Sequence, residues 1–209
     1  METAKLQNRL IITRCSAKFK AVAFAISVRA KENMRYAISC VKIDGDKIIA
    51  TDGKRLHIYQ NPLFFADCAP GMYEVIRQTK SEIDLLLKEN VELPFPKYED
   101  IIPTDYTDYF KSDFGDETTR TFPISQALYA FYSKGIGVRI EHLTPLNIGE
   151  NWQVFFGAPD RPILCKAENI YEADHERDEH FMAIFMPHTL DAIQFLSTRP
   201  IETPVLPIA

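Results

Sequence analysis

Ala50-Thr51-Asp52-Gly53-Lys54-Arg55-Leu56 is the stretch on which the reading of this chain turns. Lys47-Ile48-Ile49-Ala50 precedes it and Leu56-His57-Ile58-Tyr59 follows, so an Asp-Gly pair stands between two strand-like runs. Asp-Gly in that setting signals a tight turn, because a type I′ turn needs positive φ at both central positions. The stretch is therefore expected to be the tip of a β-hairpin. Upstream, Arg35 to Ile43 reads as another strand, joined through Asp44-Gly45 to Lys47 and completing an antiparallel meander.

Working outward, Arg9 to Thr13 reads as a first strand, and Ser16 as the N-cap of a helix running from Ala17 to about Lys31. Phe19, Val22, Ala23, Ile26 and Ala30 form one apolar stripe at helical spacing. Lys18, Lys20, Arg29 and Lys31 flank it, with no acid before Glu32. Such a face is either simply solvated or set against a phosphate backbone, where position matters and base sequence does not.

Further on, Met72 to Arg77 is expected to be a strand and Thr79 to Lys88 a short acidic helix with Ile83, Leu86 and Leu87 inward. Leu93 to Pro103 is too rich in proline for a helix and reads as an ordered, extended loop. The polar stretch from Thr104 to Thr119 is the best domain boundary. Beyond it come strand Thr121-Phe122, helix Ser125 to Ser133 and strand Gly137 to His142. Strands Trp152 to Phe156, Pro162 to Ala167 and Phe181 to Met186 follow, then a short helix from Thr189 to Ser197. Both halves thus run strand, helix, several antiparallel strands.

At 209 residues the chain has length for one large domain or two smaller ones. Its net charge of −5 argues against coating nucleic acid with the whole surface but leaves room for a local basic strip. No apolar run approaches the roughly 18 residues of a membrane span, and the polar N-terminus suggests no secretory signal. Cys15, Cys40, Cys68 and Cys165 form no CxxC pair, which fits free thiols and a cytoplasmic location. GxSxG, HExxH and GxGxxG are all missing, so no catalytic residue and no cofactor is expected. His175-x4-His180, set among Asp174, Glu176, Asp178 and Glu179, is the one metal-like run; its uniform charge reads better as a solvated loop.

Three words in order carry a resemblance. Thr51 to Leu56 resembles the ATDGHRL signature in the middle domain of the bacterial DNA polymerase III β sliding clamp, with Lys54 in place of histidine. Met34-Arg35-Tyr36-Ala37 resembles the strand entry before it, and Phe95-Pro96-Lys97-Tyr98-Glu99-Asp100-Ile101-Ile102-Pro103 the FPDYRRVLP word that closes that domain. Ile184-Phe185-Met186-Pro187-His188-Thr189-Leu190 is similar to the ending of the last domain. A clamp of this family has three domains, and this chain resembles only the last two. Between Lys88 and Phe95 a pair of strands is missing, and Glu99-Asp100 stands where the family has two arginines.

The resemblance implies an α+β clamp (processivity) fold, with two domains of antiparallel sheet, 1–106 and 107–209, and helices on one face. It implies a peptide pocket of Thr51, Gly53, Lys54, Arg55, Leu56, Pro96, Ile101, Met186, Pro187 and Leu190 that captures linear motifs of DNA polymerase or other clamp-binding proteins. Non-specific binding of double-stranded DNA would fall to Lys18, Lys20, Arg29 and Lys31, and a closed ring would need a homotrimer. Two rival readings stand beside this non-enzymatic clamp in DNA replication or repair. One is a peptide-binding adaptor of clamp fold that does not encircle DNA. The other is a small metal-dependent enzyme built on His175 and His180.

Overall fold

Alternating apolar residues in the first half pair into strands, and a helix lies across them. The computed structural model describes residues 8–30, 36–61, 64–89, 94–111, 122–148, 151–168 and 180–189. The first half runs β1 (Arg9–Thr13), α1 (Lys18–Ile26), a single turn α2 (Tyr36–Ser39), β2 (Val41–Asp44), β3 (Lys47–Thr51), β4 (Arg55–Gln60), β5 (Gly71–Gln78) and β6 (Glu82–Leu87). A 3₁₀ turn at Glu99–Ile101 leads to β7 (Asp108–Lys111), α3 (Ile124–Ser133), β8 (Ile136–Gly137) and α4 (Ile140–Leu143). The chain continues through β9 (Asn151–Phe156), β10 (Ile163–Glu168), β11 (His180–Phe185) and β12 (His188–Thr189).

Ten of these strands form one antiparallel sheet in the order β1-β6-β5-β2-β3-β4-β11-β10-β9-β7, while β12 pairs with β8 apart from it. The link between the halves is β4 on β11, with Arg55 opposite Phe185, Leu56 opposite Ile184 and so on to Gln60 opposite His180. β7, in the polar stretch read as a boundary, pairs with β9.

Several local expectations need correction. The stretch 79–88 is not a helix. The Thr79 hydroxyl oxygen accepts the Glu82 N–H at 2.9 Å, which closes a turn and sends β6 back along β5. Ile83 and Leu85 then alternate inward, and Asp84, on the other face, takes two hydrogen bonds from the Arg9 guanidinium, at 3.0 and 2.7 Å. α1 ends at Ile26 rather than near Lys31, because Ser27 donates its hydroxyl to the Phe24 carbonyl and the Ala30 N–H turns away to Ile38. The strand expected from Arg35 starts only at Val41, after α2. In place of a strand at 137–142, two residues pair with β12 and the next turn is α4.

The hairpin exists, but not with the turn first assigned. Among the described residues positive φ occurs only at glycines, Gly53 having φ +85, so Asp52 cannot occupy a type I′ position. In the preceding hairpin Asp44 pairs with Lys47, leaving Gly45 and Asp46 central. Gly45 has φ +62, the sign pattern of a II′ turn.

Both faces of the central strands are covered. On the inner face α1 packs over β3, β4 and β6, burying Ala21, Val22, Phe24, Ala25 and Ile26. Phe24 is the hub: it stacks on the His57 ring at 4.3 Å and meets Phe181 edge-on at 5.3 Å, with Trp152 at 5.9 Å. In the second half Phe131 of α3 sits among Phe156, Phe110 and Phe185.

His57, on β4, is fully buried. Its Nδ1 lies 2.9 Å from the Phe24 carbonyl oxygen and 3.3 Å from Ser27 Oγ, while Nε2 has no hydrogen-bond partner. Burial pushes its pKa down from 6.5 to about 4, so the ring is neutral in the folded chain.

Phe24→Ala is expected to cost about 3–5 kcal/mol of unfolding free energy, read by urea denaturation, because three aromatic neighbours lose their packing. His57 sets a pH dependence. The unfolded chain takes up a proton near pH 6.5 and the folded chain only near pH 4, so stability is full above 6.5 and falls as pH drops through that window. The loss is on the order of 3 kcal/mol. His57→Phe is expected to flatten the slope of stability against pH between those limits.

Candidate functional site

The Thr-Asp-Gly-x-Arg-Leu word builds its own turn from side-chain hydrogen bonds. Thr51 Oγ1 accepts the Gly53 N–H at 3.0 Å and donates to the Arg55 carbonyl at 2.6 Å. Asp52 Oδ1 accepts the N–H groups of Lys54 and Arg55, at 2.9 and 2.7 Å, and its Oδ2 receives the Arg55 guanidinium at 2.9 and 2.8 Å. Burial alone would raise the Asp52 pKa, but these N–H donors and the Arg55 charge outweigh it and hold the carboxyl below the usual carboxylate range. Arg55 reaches on to the Glu141 carbonyl in α4 at 3.0 Å, so one side chain braces the hairpin against the second half.

The late Met-Pro word lies against this tip. The Met186 N–H donates to the Lys54 carbonyl at 3.0 Å, just past the end of the β4–β11 ladder. Below the tip, on the outer face of the sheet, Ile49, Leu56, Ile58, Tyr98, Leu164 and Ile184 form a buried cluster, with Phe95, Ile102, Tyr106, Phe155 and Met182 packed around it. The proline-rich segment is thus a cover on the outer face: Phe95 and Tyr98 anchor it on the strands that carry Leu56 and Ile184. Burial, joined by the negative charges of Glu99, Asp44 and Asp46, pushes the Tyr98 phenol up to about 12.

Thr51 is buried and Gly53 and Lys54 are exposed at the tip. Leu56 is only 1% exposed and forms floor rather than rim, whereas Met186 and Ile101 present 43% and 47% of their surface. Pro96 is exposed and Pro187 half-buried. The hairpin and Met186 meet directly; Pro96 and Ile101 ride on the segment that packs over the same cluster. Leu190 lies outside the described residues. Ile184 and Leu164 were missed by sequence reasoning. Ile184 had a signal, since it stands two residues before Met186 and so on one face of an extended chain; Leu164 had none without the strand register.

Of the basic residues expected to face DNA, the three that are described do not share one helix: Lys18 and Lys20 lie on α1 and Arg29 beyond its end. Lys18 is ion-paired with Asp67 at 3.3 Å, and Lys20 is exposed, its Nζ 5.5 Å from the centre of the Phe181 ring. Arg29 follows the helix end, half-buried, with a buried Nε that has no hydrogen-bond partner. Lys31 lies outside the described residues, as does His175, while His180 opens β11. Among the described residues no group of three or more His, Cys, Asp or Glu side chains is placed to hold a metal, and no helix is long and apolar enough to cross a membrane.

Asp52→Ala is expected to lower stability by about 2 kcal/mol, because it strips acceptors from two backbone N–H groups and a partner from Arg55. Exposed Lys54→Ala is expected to stay within about 0.5 kcal/mol. Thermal unfolding of the pair checks whether the turn depends on the acid.

No model of a known protein family matches the sequence, and no curated protein is significantly similar to it. Solved structures do match. The DNA polymerase III subunit beta of Pseudomonas aeruginosa aligns with a TM-score of 0.52 at 14% identity, over 91% of this chain and 68% of that one. The same organism's clamp, solved bound to griselimycin, gives the same figures. The Helicobacter pylori beta clamp, solved bound to a DNA ligase peptide, aligns with a TM-score of 0.50 at 12% identity over 88% of this chain and 66% of that one. With its antiparallel strands, its helices on the inner face and an alignment that covers about nine tenths of the chain, this protein has the α+β fold of the bacterial DNA polymerase III beta sliding clamps.

Proposed function

We propose that the chain is a non-enzymatic, clamp-like protein of DNA replication or repair that receives short linear motifs of partner proteins where its two halves meet. The observation that carries this reading is the Met186 N–H to Lys54 carbonyl bond, which brings the hairpin word of the first half and the Met-Pro word of the second to one place. A leucine or aromatic anchor would enter between Met186 and Ile101, above the Leu56–Ile184 floor, and an unbranched methionine adapts to different anchors. Thr51, Gly53, Lys54, Arg55, Pro96, Pro187 and Leu190 complete the proposed pocket. That a clamp of this fold was solved with a DNA ligase peptide supports the choice of ligand.

Segments 1–106 and 107–209 are proposed as two clamp domains. Their common sheet ends on β1 and β7, the edges where copies would join into a homotrimer ring around double-stranded DNA. Lys18, Lys20, Arg29 and Lys31 would then face the phosphates. A second reading, an adaptor of clamp fold that does not encircle DNA, has its own support. Lys18 is already paired with Asp67, Arg29 is half-buried, and α3 carries no Lys or Arg.

Titration of a labelled clamp-binding peptide tests the pocket. Met186→Asp is expected to bind at least about tenfold more weakly than the wild type, a difference of about 1.4 kcal/mol. Equal binding by both proteins, or none by either, removes the pocket. Duplex DNA is tested separately with Lys18, Lys20, Arg29 and Lys31 all changed to Gln. Weaker binding and a shallower salt dependence support the ring, whereas DNA binding that does not change favours the adaptor. A stable monomer in sedimentation at micromolar concentration excludes the ring.

A further inference from the structure

α3 leaves part of its outer side bare. Tyr129 and Tyr132, one turn apart on the helix, are 77% and 65% exposed, and Ile140, which opens α4, is 55% exposed. Beside the tyrosines runs an open groove of about 380 Å³, lined by Leu128 from α3 and by Ile136, Gly137 and Val138 from the following segment. Large apolar side chains grouped in this way mark a surface that something covers.

The course of the chain says what. β12 pairs with β8, His188 opposite Gly137 and Thr189 opposite Ile136. Thr189 is therefore held against the groove's own wall, and residues 190–209 continue from that point. This stretch opens Leu190-Asp191-Ala192-Ile193-Gln194-Phe195-Leu196, rich in apolar residues and carrying one charge. Further apolar residues follow at Ile201, Val205, Leu206 and Ile208. A segment tethered at the edge of its site faces it at an effective concentration in the millimolar range, which an external partner rarely matches.

We propose that the segment beyond Leu190 docks in cis along this groove and covers Leu128, Tyr129 and Tyr132. The docked segment makes α3 a structural helix with a private partner.

A photo-crosslinking residue, benzoylphenylalanine, placed at position 132 of the full chain tests this directly. Position 132 is largely exposed, so the substitution leaves the fold intact. The expected product is an intramolecular crosslink to a peptide from 190–209. Crosslinked dimers would show a second copy in the groove, and no crosslink would show an open one; either result overturns the proposal. Cleavage by a glutamate-specific protease at Glu202 supplies a second readout. Tyr132→Ser with Leu128→Ser is expected to speed that cleavage by at least about threefold, as a docked segment opens more often. An unchanged rate overturns the proposal.

Discussion

The pairing of β4 with β11 is the contact on which the rest of the structure hangs. It is the register from Arg55–Phe185 to Gln60–His180 that turns two sets of strands into one sheet. β4 is buried on both faces as a result. Its inner side carries His57, stacked on Phe24 of α1, and Tyr59, beside Phe181, and its outer side carries Leu56 and Ile58 under the proline-rich segment. Because side chains alternate, a slip of one residue would exchange these sets and put an imidazole under Tyr98. Hydrophobic burial on two faces at once makes the register nearly unique.

The hairpin tip shows how structural and functional readings of a motif can coincide. Thr51, Asp52, Gly53 and Arg55 are each explained by the turn itself: two acceptors, one positive φ and one brace to Glu141. Nothing in those bonds requires a ligand. What the turn achieves is to hold the Lys54 carbonyl outward, where the Met186 N–H meets it, and to set Leu56 beneath. A rigid tip is what a binding surface needs, since a preordered surface loses less entropy when a ligand arrives.

Much of this was legible in the sequence, and the failures have a common cause. β1, the hairpin strands, α3, β9 and β10 show their period locally, and the structure has each within a residue or two. β6 was misread because Ile83, Leu86 and Leu87 match a helical spacing, while its true alternation is disguised by Asp84. That acid is tolerated at a nearly buried site only because Arg9, remote in the chain, pairs with it. The early end of α1 was likewise invisible, resting on a serine that bonds its own helix and on a distant carbonyl at Ile38. At the site the words themselves were readable, but Leu164 and the depth of Leu56 follow from strand register, which no local pattern encodes.

The same seam has a consequence for how the molecule is made. Its partners come from the two halves of the chain, so closing it demands a long loop, with the entropy cost and slow rate that non-local pairing carries. The meander of β2, β3 and β4 can form from neighbours alone, whereas β11 lies far along the chain from β4. Until the two pair, Leu56 and Ile58 lie on an open strand edge that can pair with another chain. The candidate site thus exists only once this long-range pairing has closed, and β4 keeps an open edge until then.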